Sequence, residues 1–201
     1  CKGSPIKPEY MQHAGNLAKR YNLKIHVDGA RIFNAAVAME VDVKDLVSEA
    51  DSVMFCLSKG LSAPVGSLVC GNKEFINKAR KWRKMVGGGM RQSGHLAAAG
   101  IIALGELVDR LKEDHSNAQA LAQGLARLKG IVLKPELIKT NIIFFRLKHP
   151  TLSPEIFFKK LESQGIKILM MQVGVFRAVL HREISESQIE RVIHTSEELT
   201  K

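Results

Sequence analysis

Two side chains stand where a run of apolar, β-branched residues gives way to small ones. Asp28 closes "LKIHVD" just before Gly29, and Lys59 follows the apolar run 53–57 in "VMFCLSKGLSAPVG". In open α/β sheets, ligands bind at the carboxyl ends of strands. An acid and a lysine delivered to neighbouring strand ends would therefore meet in one cleft. A lysine on a flexible stem, in a loop of small residues, can condense with an aldehyde and later swing away. A carboxylate can keep a proton on a heteroaromatic nitrogen. Pyridoxal phosphate needs both services, because its ring accepts electrons only while that nitrogen is protonated. Plainer readings of the same residues stand beside this one. Asp-Gly after a strand is an ordinary turn signal, and lysine before glycine is common on surfaces.

The elements that must position the pair follow from periodicity. Residues 8–20 read as a helix with Met11, Ala14, Leu17 and Ala18 on one face. Residues 23–31 hold a short strand ending at Asp28. "IFNAAVAME" and "VKDLVSEA" read as helices. "DSVMFCL" reads as a buried strand and "GSLVCG" as a second, separated from it by the Lys59 loop. A basic helix covers 73–85, "GGGMRQSG" is a turn, and 95–112 is helical. A break at 114–116 precedes the helix "NAQALAQGLARLKG", for which Gly130 is a good stop. Beyond it, "IVL", "TNIIFFRL", "IKILMM" and "VFRAVLH" read as strands. Ser153 and Pro154 open a helix that ends at Gly165, and Ser185 with Gln188 forms a capping box for the last one. The fold class is α/β. Residues 1–115 alternate strand and helix, as in part of a large, mostly parallel, helix-covered sheet. Residues 116–201 run β-β-α-β-β-α, which predicts a small α/β domain with an antiparallel sheet.

Composition narrows the function classes. At 201 residues and 45% hydrophobic, the chain can build one large or two small cores. No apolar run approaches the ~20 residues of a membrane span, so no membrane partner is expected. Cys1, Cys56 and Cys70 are too few, and odd in number, for a disulfide framework. They imply a reducing compartment, the cytoplasm. Cys56 and Cys70 lie in apolar runs and read as small core residues. No metal site is expected. The net charge of +10 is densest in "NKEFINKARKWRKM" (72–85), with Phe75, Ile76, Ala79 and Trp82 opposite the cations. A solvated helix face, or an anion site for phosphate or carboxylate, accounts for that. No RNP, zinc-finger or helix-turn-helix signature accompanies it, so no nucleic-acid partner is expected.

Three longer stretches carry a family resemblance. "HVDGARIFNAA" (26–36), "LSKGLSAPVGSLVCGN" (57–72) and "RKWRKMVGGGMRQSGHLAAAG" (80–100) resemble the low-specificity L-threonine aldolases. These are pyridoxal-phosphate enzymes of the aspartate-aminotransferase type, fold type I. The likeness is dense over residues 10–115 and looser through "TNIIFF" and "VFRAVLH". It implies a lyase that cleaves L-threonine or L-allo-threonine to glycine and acetaldehyde, in a homo-oligomer, dimer or tetramer. It implies that Lys59 is the Schiff-base lysine, Asp28 the acid facing the pyridine nitrogen, and Arg31 the cation near the ring hydroxyl. Ser58 would add a hydrogen bond to the cofactor phosphate, and Arg91 would reach the phosphate of a neighbouring subunit. Lys84 and Arg177 would serve the substrate, Arg177 by gripping its carboxylate.

The same resemblance places the chain as the carboxyl-terminal part of such an enzyme. The start at Cys1, without a methionine, fits an amino-terminally truncated piece. The family's phosphate-holding Gly-Thr turn and its ring-stacking histidine would then lie upstream, so the piece alone is expected to be inactive. Of the histidines here, His13 falls on a surface helix, His26 reads as packed within its strand, and His95 as facing solvent. Leu180 stands where many of these enzymes carry threonine. Another fold-type-I enzyme acting on amino acids and a non-catalytic fragment are the alternative readings.

Overall fold

The structure, a computed structural model, describes residues 3–201. Its contacts divide into two compact units, Ile6–Leu111 and Lys112–Lys201, the latter together with residues 3–5.

The first unit runs α1 (Pro8–Arg20), β1 (His26–Asp28), α2 (Ile32–Met39), β2 (Ser52–Cys56), β3 (Ser67–Gly71), α3 (Lys73–Met85) and α4 (Gly94–Glu106). Proline at the first turn, Glu9 beside it and Lys19 with Arg20 in the last turn suit α1 to its dipole. Its buried face is Met11, Gly15 and Ala18. Gly15 packs so closely on Glu49 that a methyl group there would collide with the carboxylate. That face is rotated from the predicted one, and Leu17 is exposed. The strands form a sheet in the order β1-β2-β3. β1 runs parallel to β2, with Asp28 opposite Met54, and β3 runs antiparallel to β2, with Cys56 opposite Ser67. The described strands are therefore mixed rather than mostly parallel. The α2 crossover gives the parallel pair, whereas the loop 57–66 turns the chain straight back. Asp51 pins the start of β1: it takes Lys24 Nζ at 2.8 Å and the Ile25 N–H at 2.9 Å. These bonds, the lysine's first, hold its carboxyl below the usual carboxylate range.

Further expectations change. The segment "VKDLVSEA" makes only a 3-10 turn at Asp45–Val47. Asp42 accepts the Lys44 N–H at 2.8 Å and so caps the start of that turn. The predicted helix 95–112 stops at Glu106, and the break expected at 114–116 is absent. The chain instead turns at 107–110, and α5 (Leu111–Ala126) runs unbroken. Asp114 sits in its first turn, where an acid suits the dipole, and Leu111, Ala118, Leu121, Ala122 and Leu125 are buried. Packing here outweighs weak local propensity. Gly130 takes a left-handed φ of +77°, but beyond the helix end, just before β4. Finally, β2 is only half-buried beyond Ser52 and β3 is exposed throughout, so Cys70 is exposed and Cys56 half-buried.

The second unit continues with β4 (Ile131–Val132), β5 (Ile142–Leu147), α6 (Pro154–Ser163), β6 (Leu169–Gln172), β7 (Val175–Val179) and α7 (Glu186–Thr200). Its sheet, β4-β5-β7-β6, is antiparallel at every joint, as the order of elements predicts. Period-two alternation sends Ile143, Phe145, Phe176 and Ala178 into a core shared with α5, α6 and α7. Phe176 stacks on Phe145 at 5.2 Å and meets Phe157 edge-on at 5.5 Å. Ser153 accepts the Ile156 N–H at the start of α6, and Ser185 and Gln188 close the capping box of α7. Among the described residues, no helix is long and apolar enough to cross a membrane.

Candidate active site

Asp28 ends β1, and β2 runs beside it in the same direction, so both strands point their carboxyl ends to one edge of the sheet. The chain leaves β1 by a tight step over β2. The Gly29 N–H donates to the Met54 carbonyl at 2.8 Å, and the Cys56 N–H donates to the Ala30 carbonyl at 3.4 Å. Gly29 is closely packed: a methyl group there would lie 3.0 Å from the Met54 oxygen and 3.1 Å from Ile32 Cβ. Asp28 Oδ1 accepts the Ala30 N–H at 3.2 Å, which fixes the exposed carboxylate at the strand tip. Arg31, half-buried, is the residue from which α2 starts.

Lys59 lies in the loop 57–66 between β2 and β3. The Leu57 and Ser58 N–H groups both donate to the Gly66 carbonyl, at 2.9 and 3.3 Å, and the Ala63 N–H donates to the Leu57 carbonyl at 3.0 Å. Inside that frame the Ser62 N–H closes a turn on the Lys59 carbonyl at 2.9 Å, while the Ser62 hydroxyl donates to the Gly60 carbonyl at 3.3 Å. Two residues hold left-handed backbone, Ser62 at φ +61° and Gly66 at φ +109°. The first is an uncommon conformation for serine, of the kind that gathers near functional sites. Leu57, Leu61 and Ala63 anchor the loop in a small core, and Lys59 between them is exposed. Among the described residues, Lys59 makes no ion pair. The strand end that carries it is half-buried rather than buried.

The remaining candidates are distributed as follows. Ser58 is exposed, next to Lys59, with its hydroxyl 3.4 Å from the Gly66 carbonyl. Lys84, exposed in the last turn of α3, lays its stem over the glycine run: a methyl group at Gly89 would be 3.1 Å from its Cδ. Arg91 is exposed beyond that run, beside Gln92 at φ +48°. Arg177 belongs to the other unit. It sits mid-strand in β7, opposite Phe144 of β5 and Leu169 of β6, on the face away from the helices. Its neighbours Phe176 and Ala178 are in the core. It is half-buried, and among the described residues it makes no ion pair, with Glu183 or any other acid. His26 is exposed rather than packed, its Nδ1 2.9 Å from the Ser52 hydroxyl, and His13 and His95 are exposed. Sequence reasoning passed over Asn34. It is the one polar residue of "IFNAAVAM" and it is 3% exposed, so its signal was a lone amide in an otherwise apolar helix.

The donor set suits pyridoxal phosphate. An uncommitted primary amine can take an aldehyde, and a carboxylate at the adjacent strand end can take a protonated ring nitrogen. Arg31, Ser58 and Arg91 are polar groups in the same unit. Residues 1–148 match the Beta-eliminating lyase family. Over 188 residues the chain is 44% identical to the low-specificity L-threonine aldolase 1 of Arabidopsis thaliana, covering 93% of this chain and 52% of that one. Over 190 residues it is 42% identical to the low specificity L-threonine aldolase of Escherichia coli K12, covering 94% and 55%. The chain thus spans about half the length of the curated relatives it matches. The threonine aldolase structure of Leishmania major superposes with a TM-score of 0.75 at 18% identity, over all of this chain and 58% of that one, which shows a shared fold.

Proposed function

The chain belongs to the beta-eliminating lyase family, and from that premise we propose that the protein carrying it is a pyridoxal-phosphate-dependent threonine aldolase. It would cleave L-threonine or L-allo-threonine to glycine and acetaldehyde. The observation that carries this reading is the parallel pairing of β1 with β2, which brings Asp28 and the Lys59 loop to one sheet edge. The named activities of the relatives, 42–45% identical to this chain, support it.

When bound, the cofactor supplies an electron sink for the pair released as the Cα–Cβ bond breaks. The residues of this chain serve that chemistry in distinct ways. Lys59 would offer the amine that holds the cofactor aldehyde. Asp28 would hold the ring nitrogen and its proton, and Arg31 would serve the ring hydroxyl. Ser58 and Arg91 hold the phosphate, Arg91 across a subunit boundary in a homodimer or homotetramer. Arg177 would bind the substrate carboxylate through a planar fork of two parallel hydrogen bonds, and Lys84 would serve the substrate as a further cation. The domains would be the cofactor-binding part, 1–115, and the small domain, 116–201. The free Cys56 and Cys70 support a reducing, cytoplasmic setting.

The test is to load the intact polypeptide with cofactor, reduce with borohydride and map the labelled peptide. Label on Lys59 is expected, and label on another lysine would refute the assignment. Assay of β-hydroxy amino acids beside alanine and cysteine separates an aldolase from a lyase or transferase of the same fold.

A further inference from the structure

We propose that Asn34 is a positioning residue for Lys59: its buried amide holds the turn that presents the lysine. The proposal rests on reading Lys59 as the cofactor-bearing lysine.

α2 has two buried sides. Ile32 and Ala36 pack with Leu46, whereas Phe33 and Val37 pack against the cluster that contains Leu57, Leu61 and Ala63, the residues bracketing Lys59. Asn34 lies next to the second side. Its side chain lies close to Gly60. A methyl group on Gly60 would sit 2.9 Å from Asn34 Oδ1, 3.5 Å from Asn34 Nδ2 and 2.9 Å from Leu111 Cδ2. Gly60 does not have a left-handed φ. It is glycine because the amide and Leu111 occupy the space where a side chain would go.

The amide thus fills the space beside the residue that directly follows Lys59. A site that needed only filling would suit leucine, which has nearly the same size. A buried amide persists where its oxygen and nitrogen are both satisfied, and it then fixes the groups around it. The lysine stem is flexible, so the place its amine can reach is set by the backbone of the turn. That turn is closed internally by Ser62. Asn34 ties it to α2, which begins four residues after Asp28. The separation of acid and amine is therefore fixed by one rigid element, which is the arrangement that precise placement of reacting groups requires.

The test compares Asn34→Leu with the wild type in the intact polypeptide. Backbone amide exchange is measured without cofactor over 57–66 and over the β1–β2 ladder. The rate of bond formation between Lys59 and added pyridoxal phosphate is followed by borohydride trapping and peptide mapping. Exchange at Ser62 and Ala63 should rise about tenfold, with the ladder changed less than about twofold, because local opening is distinct from global unfolding. Trapping at Lys59 should slow by about tenfold. Asn34→Ser, which keeps a shorter polar group, should loosen the same amides and serves if the leucine variant does not fold. Undisturbed exchange and trapping would overturn the proposal, and so would loosening spread evenly through the unit, the mark of a merely structural role. Label on a lysine other than Lys59 in the wild type would overturn the underlying reading instead, and is seen before any variant is made.

Discussion

In residues 112–201 the largest side chains are the best hidden, with Phe157 and Phe176 fully buried and Leu161 at 1% exposure. In residues 6–111, β3 and α3 bury no residue at all, and Trp82 on α3 is 61% exposed. Residues 112–201 close a core from one sheet face and three helices. Residues 6–111 divide their apolar residues between two small clusters on either side of α2 and keep Asp28 and Lys59 at the carboxyl ends of neighbouring strands. Fold stability and candidate chemistry are thus separated along the chain, with Arg177 the one candidate on the well-packed side.

If that separation holds, substitutions should divide between the two properties. Lys59→Ala in the intact protein should lower turnover by on the order of 10⁴-fold, the scale at which a covalent catalytic group acts, and leave the melting temperature in place. Phe176→Ala should cost about 3–5 kcal/mol of stability by opening a cavity, read by urea unfolding, and so unfold the small unit. Asp28→Asn should keep cofactor absorbance but lose about a hundredfold in turnover, near 2.7 kcal/mol of barrier; near-normal rates would remove Asp28 from its role. Arg177→Lys sharpens the comparison, because this residue stands on a stable strand. Its stability should not change, while KM for L-allo-threonine rises about tenfold as the two-pronged grip is lost. Ser185→Ala is the mildest case. It should cost about 1 kcal/mol through the lost helix cap and leave catalysis alone; an effect on turnover would break the proposed separation.

Much of this was legible in the sequence where local chemistry decides the outcome. Pro8, Ser153 and Ser185 marked helix starts that the structure keeps. "VFRAVLH" reads as a strand and is one, and strand alternation puts Arg177 on the face opposite Phe176 and Ala178. What could not be read was decided at a distance. The unbroken α5 follows from a buried face that outweighs Asp114, His115 and Ser116, and such packing has no local signature. At Asp45–Val47 a helix that periodicity allowed is cut to a single turn, although Asp42 caps its start by accepting the Lys44 N–H. At the site, the residue types and strand ends of Asp28 and Lys59 were visible. The close approach of Asn34 to Gly60 was not, since it depends on how α2 lies over a loop far along the chain.

The mixed sheet also sets an order of events as the chain folds. The antiparallel pair β2–β3 closes over the short loop 57–66, a local step of the kind that takes about 1–10 μs in isolated hairpins. The parallel pair β1–β2 forms only after the intervening chain, α2 included, has been ordered, and contacts across longer stretches form later. The loop that carries Lys59 can accordingly close on itself before the parallel pair sets Asp28 beside it, while its final shape waits on α2.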